Sequence, residues 1–301
     1  MPDATTINEQ IQQGKLTAAV DAAIEWVKAS PSDAAARGVL FETLCFAGEY
    51  DRAQKHLNVL AGGSDSLRLQ LYHNAMKAET ARTQVFTEGR VPDVIAQPDD
   101  SFTARMDALI ELREGRADAA ADRLKDVLQA EPNPGRSPDG PFTHFSDADD
   151  VLGPFVEFLG TDGRYFWIDS RAVRTIEPTP IRTWIDTLWR PVVVTPKGAP
   201  PLTGSIPVIY FGTGSQAEDD DSYRLGYQTR FDDVGGLNRG VGQRLFLLDD
   251  AEVPALQLGN LAFEDVGDSD ESGGGGDSED SDAPTAAGSV ADAAASDGEA
   301  S

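Results

Sequence analysis

Over the first 130 residues the apolar positions recur with the period of a helix. Leu16, Ala19, Val20, Ala23, Ile24 and Val27 follow an i, i+3, i+4, i+7 spacing, so they share one stripe that must be buried. Leu40, Leu44 and Ala47 form a second stripe that stops at Gly48, and Ala53, Leu57 and Leu60 a third that stops at Gly62. Ahead of them, Thr6-Ile7-Asn8-Glu9 has the form of a capping box opening a short helix that ends near Gly14. Ser30-Pro31 reads as an N-cap followed by a first-turn proline. Ser64 is expected to cap a helix through Leu67, Leu71, Tyr72, Ala75 and Met76, and Ser101 one through Phe102, Met106, Leu109 and Ile110. Pro92 and Pro98 put a loop between those two.

The turns echo one another. Gly14-Lys15-Leu16 and Gly48-Glu49-Tyr50 lie 34 residues apart, and Gly115-Arg116-Ala117 follows 67 residues later, near two periods. A helix–turn–helix period of this length resembles tetratricopeptide repeats (TPR). Their Trp and Tyr signature positions are mostly missing, and an unrelated helical bundle is the alternative.

Beyond residue 131 the pattern changes. Pro132, Pro134, Gly135, Pro138, Gly140 and Pro141 suit neither helix nor strand and predict a linker. Asp147-Ala148-Asp149-Asp150 then precedes Leu152, Phe155, Val156 and Leu159 at helical spacing, which reads as an acidic helix start. Three carboxylates in four residues also suit Mg²⁺ or Ca²⁺, although the Ca²⁺-loop spacing is absent. Strands are expected at Arg164–Asp169, at Val192-Val193-Val194, and twice within Ile206–Leu248, with a short helix through Ile181, Trp184, Ile185 and Leu188 before the second. After Phe263 the chain is Gly, Ser, Asp, Glu and Ala, too poor in apolar residues to fold. The expected class is α+β: a TPR-like α-helical stack (residues 1–131), a linker (132–146), a small, mostly β domain (147–264) and a disordered acidic tail (265–301).

Charge narrows the partners. The chain carries 51 acidic and 25 basic residues in 301, a net −26. Glu264 to Ser301 hold 12 of the acids and no Lys or Arg, yet the rest keeps 39 acids against 25 bases, a net −14. Such a body disfavours a phosphate-tracking nucleic-acid surface and an anionic membrane. No apolar run reaches the ~20 residues of a bilayer span, and the N-terminus has no signal-peptide pattern. With Cys45 as its one cysteine, the chain is expected to work in the reducing cytoplasm.

No complete catalytic or cofactor motif emerges. Gly212-Thr213-Gly214-Ser215 and Gly235-Gly236-Leu237-Asn238-Arg239-Gly240 lack the Lys and Ser/Thr of a phosphate loop and read better as turns between strands. Ser215 has no nucleophile elbow. His56 and His73 lack partners at metal-ligand spacing. No cofactor or metal is expected. An enzyme using Asp232, Asp233, Arg224 or Arg244 in a cleft between the halves is the remaining catalytic alternative. Tyr165, Trp167, Trp189 and Tyr210 serve either as core or as anchors for a partner, and Arg190, Arg224 and Arg244 as partners of carboxylates within the chain or beyond it.

An ordered set of motifs identifies a family. Asp147-Ala148-Asp149-Asp150 with Leu152-Gly153-Pro154, then Gly163-Arg164-Tyr165-Phe166-Trp167-Ile168, Leu188-Trp189-Arg190-Pro191, Ile206-Pro207-Val208-Ile209-Tyr210, Arg224-Leu225-Gly226 and Gly240-Val241-Gly242-Gln243-Arg244-Leu245-Phe246 resemble the ImpE family, also called SciE or TagJ. The resemblance spans about residues 5 to 264. Two features depart from the family pattern: Tyr210-Phe211-Gly212-Thr213 stands where Tyr-Pro-Gly-Ser is favoured, and the acidic tail is long. The resemblance implies a non-enzymatic adaptor of the bacterial type VI secretion system. Its implied partners are the N-terminal helix of the sheath subunit TssB and the AAA+ ATPase ClpV, which recycles contracted sheaths. A general TPR-type scaffold unrelated to secretion is the alternative.

Overall fold

The helical half is built on one turn used three times. In a computed structural model that describes residues 2–62, 66–129 and 131–264, helices α1 (Ala4–Gln12) and α2 (Leu16–Ala29), α3 (Ala34–Phe46) and α4 (Tyr50–Ala61), and α6 (Asp100–Arg113) and α7 (Ala117–Leu124) form hairpins, with the long α5 (Leu67–Glu88) between the second and third. Gly14, Gly48 and Gly115 sit at φ 73°, 73° and 74°, the left-handed region where an L side chain is strained. Each makes the same pair of bonds: the Gly amide donates to the carbonyl three residues back, and the next amide donates to the carbonyl five residues back, at 2.9–3.0 Å. This paired closure ends a helix and redirects the chain.

Three expected caps are corrected. Asp3 caps α1 by accepting from the Thr6 amide at 2.9 Å, in place of Thr6. Asp33 caps α3 in place of Ser30, and Asp99 caps α6 in place of Ser101. In each case a carboxylate two or three residues from the expected cap is available to compete for the free amides. Ser64 lies outside the described residues.

The β half contains β1 (Gly135–Ser137), β2 (Gly140–Phe142), β3 (Phe145–Asp147), β4 (Phe155–Gly160), β5 (Tyr165–Asp169), β6 (Val173–Pro178), β7 (Trp189–Pro196) and β8 (Leu202–Pro207). Two single-turn helices, α8 (Thr213–Gln216) and α9 (Asp221–Arg224), lead to β9 (Thr229–Val234), β10 (Leu237–Gly242), β11 (Leu245–Leu248), β12 (Ala251–Pro254) and β13 (Leu261–Phe263). An eight-stranded antiparallel sheet runs β2-β1-β13-β6-β7-β8-β4-β5, beside a β12-β11-β3 sheet and a β9–β10 hairpin. The residues expected to be a linker, 132–146, thus supply β1, β2 and most of β3. Pro141 is tolerated because β2 is the edge strand, and Pro132, Pro134 and Pro138 fall outside the strands.

The expected helix across Leu152–Leu159 is strand β4, in which all six residues are buried. A strand covered on both faces is apolar at consecutive positions, so Phe155, Val156 and Leu159 matched a helical period by coincidence. The expected helix before Trp189 is a single 3₁₀ turn, Trp184–Thr187.

The large sheet is the middle layer. Phe155, Leu159, Tyr165 and Trp167 join the core shared with the helices, while Val156, Phe158, Phe166 and Ile168 join the core under the β3–β11 sheet. That division is the period-two alternation of a strand. The outer edge of β5 is closed by Asp93, whose amide donates to the Tyr165 carbonyl and whose carbonyl accepts from the Trp167 amide, both at 2.9 Å. Among the described residues no helix is long and apolar enough to cross a membrane.

Candidate functional site

Helix α5 lies on the β4–β5 end of the sheet, and a buried ionic network forms between them. Glu157, midway along β4, is fully buried. A lone carboxylate there would be costly, and it is surrounded by donors. Arg82 of α5 reaches it with Nε at 2.7 Å and Nη2 at 3.1 Å, and Arg244 and the Tyr165 hydroxyl also donate to it. Trp167 Nε1 donates to the Tyr165 hydroxyl at 2.7 Å. Arg82 further contacts Glu79, which accepts from Trp189 Nε1 at 2.9 Å, and donates to the Ile209 carbonyl at 2.9 Å. Arg244 continues the network to Asp147, whose Oδ1 accepts from the Tyr210 hydroxyl at 2.9 Å.

Although burial alone would raise its pKa, the charges of Arg82 and Arg244 pull Glu157 down to about 2. Burial pushes Asp147 up to about 7 against the pull of Arg244. One glycine lets the parts close up: a Cβ on Gly240 would stand 2.3 Å from the Tyr210 ring.

The seven residues singled out from sequence therefore divide. Tyr165, Trp167, Trp189, Tyr210 and Arg244 are at most 4% exposed and converge on this network. Of the two roles offered for them, Tyr165, Trp167, Trp189 and Tyr210 take the place of core, and Arg244 pairs with Asp147 and Glu157 of the same chain. Arg190 is buried elsewhere and donates to the Thr179 carbonyl. Arg224 bonds Asp221 and the Thr17 hydroxyl and, with Tyr210, lines a cleft.

That cleft, about 370 Å³, opens over the network between the α3–α4 turn and the Ile209–Ser215 loop. Phe46, Tyr50, Ile209, Phe211 and Arg224 border it, with Glu79 and Arg82 in its wall. Phe211 stacks on Phe86 of α5 at 4.6 Å between centroids. The other two helical turns meet the β half directly. Asp221 accepts from the Thr17 amide at 2.7 Å, supplying α2 with the cap it lacks locally, and the Tyr227 hydroxyl donates to the Ile11 carbonyl at 3.1 Å. The β9–β10 turn abuts α7, where a Cβ on Gly235 would come within 2.7 Å of Ala117. The Gly48 turn, the second of the three, borders the cleft instead.

The catalytic alternative finds no common pocket. Asp232 pairs with Arg230 at 2.9 Å, Asp233 accepts from the Gly236 amide at 2.7 Å, and Arg244 is sealed in the network. Asp147-Ala148-Asp149-Asp150 opens no helix. Asp149 is bound by Arg239 and the Gly240 amide, and Asp150 by the Asn238 amide. Among the described residues no three His, Cys, Asp or Glu side chains are placed to hold a metal. Sequence reading missed Glu79, Arg82 and Glu157. The available signal was a lone Glu in Phe155-Val156-Glu157-Phe158-Leu159, which points to a buried partner once that run is a strand.

A sequence model described as ImpE protein matches residues 139–262, from the start of β2 into β13. The type VI secretion system accessory component TagJ of Pseudomonas aeruginosa is 33% identical over 268 residues, covering 87% of this chain and 92% of that protein. The crystal structure of protein VPA1032 from Vibrio parahaemolyticus has the same fold, with a TM-score of 0.74 over 86% of this chain and 97% of that one at 22% identity. The chain belongs to the ImpE family, the family of TagJ.

Proposed function

We propose that this protein is a non-enzymatic adaptor of a type VI secretion system, working in the cytoplasm. It binds the N-terminal helix of the sheath subunit TssB and contacts the ClpV ATPase during sheath recycling. The similarity to TagJ over nearly the whole chain supports the system. The observation that carries the binding mode is the cleft over the Arg82–Glu157 network, bordered by the α3–α4 turn and the Ile209–Ser215 loop.

Recognition is helix-in-groove, with apolar side chains of the partner helix entering between Phe46, Ile209 and Phe211. Arg224 borders that groove and pairs with a partner carboxylate. Tyr165, Trp167, Trp189, Tyr210 and Arg244 act from beneath as positioning residues, holding the Ile209 loop through Arg82 and Asp147. Preformed shape of this kind lowers the ordering cost of binding.

A pull-down of the full chain with a TssB N-terminal peptide tests the reading. Retention is expected, and Ser215→Trp, which places a bulky ring at the cleft, is expected to weaken it roughly tenfold. No retention by the unaltered chain sinks the adaptor reading. Equal retention by both chains moves the groove elsewhere.

A further inference from the structure

The cleft stays open on its α5 side. Gly48, Tyr50 and Thr83 line it and also line a second hollow of about 470 Å³, so the two form one groove that passes the Gly48 turn. Its character changes on the way. Phe46, Ile209 and Phe211 wall the cleft, whereas the trough beyond is made by the start of α4 and the second half of α5, without one aliphatic side chain. Charge separates the two ends as well. Toward α2 the cleft has the guanidinium of Arg224, bonded to the Thr17 hydroxyl. Toward α5, Glu49 holds Arg52, which leaves Asp51 and Glu88 exposed and with no ion pair among the described residues. Arg90, tethered to the Gln84 side chain at 2.9 Å, lies outside that lining.

Surface carboxylates by themselves ask for nothing but water. These two continue a groove whose apolar walls already suit a helix, and Tyr50 marks the crossing. The three repeated turns place Leu16, Tyr50 and Ala117 at the first residue of the helix that follows. Leu16 is sealed in the core and Ala117 lies against Gly235. Tyr50 alone of the three has a polar end. Its ring packs on the core, while its hydroxyl keeps accessible surface and makes no hydrogen bond among the described residues. A tyrosine with a packed ring and a free hydroxyl is the amphipathic type enriched at interfaces.

We infer that the partner helix spans the whole groove: its apolar face sits in the cleft, and a lysine or arginine beyond that face passes the Tyr50 hydroxyl to lie over Asp51 and Glu88. The inference rests on the adaptor reading and gives the charge pattern of the helix that reading requires. A long aliphatic stem with a cationic head suits a wall that turns from apolar to acidic. An acidic side chain at the same place would meet two uncompensated carboxylates, which selects against helices of the opposite pattern.

The test is fluorescence anisotropy of a TssB N-terminal peptide, dye-labelled at its C-terminus, titrated with the full chain at low and high salt. Asp51→Lys with Glu88→Lys is expected to weaken binding roughly tenfold at low salt and by less at high salt, where exposed pairs are screened. Asp51→Asn with Glu88→Gln, which keeps the shape of both side chains, is expected to weaken it about threefold. Equal affinity of the parent chain and the neutral variant at low salt overturns the inference, a result available even where the lysine variant fails to fold. Ser215→Trp separates this outcome from the reading beneath it. Binding that Ser215→Trp weakens and the charge variants leave unchanged keeps the cleft and removes the trough, whereas no binding by the unaltered chain sinks both.

Discussion

Glu157 is a fully buried carboxylate at the centre of the ionic network. Two guanidiniums and a tyrosine hydroxyl compensate this carboxylate, which has no exposed surface of its own. Removing one side of a buried pair is far more costly than the pair is worth, because the remaining charge stays buried and unmatched. Glu157→Gln is therefore expected to destabilise the chain by about 3–5 kcal/mol. The pH dependence has a definite sign. Glu157 is held at about 2 in the fold against an ordinary 4.5, so the unfolded chain binds its proton more readily in that window. Its stabilisation is complete above pH 4.5 and is lost as pH falls from 4.5 through 2. Urea midpoints measured from pH 7 to pH 2.5 are expected to fall more steeply in acid for the parent chain than for Glu157→Gln. Parallel curves would show that Glu157 is not held as an anion.

At the scale of elements, legibility followed periodicity. The helical hairpins were readable because a half-buried helix shows its stripe, and the three glycines were readable because only their residue type fits a left-handed turn. Strand β4 was not, since burial on both faces erases the period that separates strand from helix. The β1–β3 segment was hidden by prolines that fall between its short strands or, at Pro141, in the edge strand β2. The candidate site was legible as residue types only: Tyr165, Trp167, Trp189, Tyr210 and Arg244 do meet, but which way they face depends on pairing with β8 and on α5, neither of which is local information. Long-range capping was equally invisible. Helix α2 has no side-chain cap at Lys15 and takes one from Asp221, 204 residues away. Asp221→Ala is expected to cost about 1 kcal/mol and, more tellingly, to speed hydrogen exchange at the α1–α2 turn. Exchange unchanged at residues 14–20 would mean that the cap contributes nothing to holding that hairpin.

For the molecule as a whole, these contacts decide whether the helical and β halves are separable. From sequence, residues 1–131 and 147–264 read as two domains. In the structure, one hydrophobic core runs from Ile7 and Leu44 through Met76, Val85 and Phe86 to Phe155, Tyr165, Trp167 and Trp189. Separation is unfavourable for either half. A helical half on its own would expose the apolar face of α5 and leave Glu79 and Arg82 without Trp189 and Glu157. A β half on its own would expose Tyr165 and Trp167 and strand Glu157 and Arg244 beside each other with one partner missing. Domains that fold alone have cores of their own, and here the first core belongs to both. Residues 2–264 are therefore expected to unfold in a single cooperative transition, with tryptophan fluorescence and far-UV circular dichroism coincident in urea. Residues 1–131 expressed alone are expected to bind a hydrophobic dye and to lack a sharp transition. A cooperative, dye-free fold for that fragment would mean that the shared core is a docking surface between two finished domains, and that the cleft above it could open.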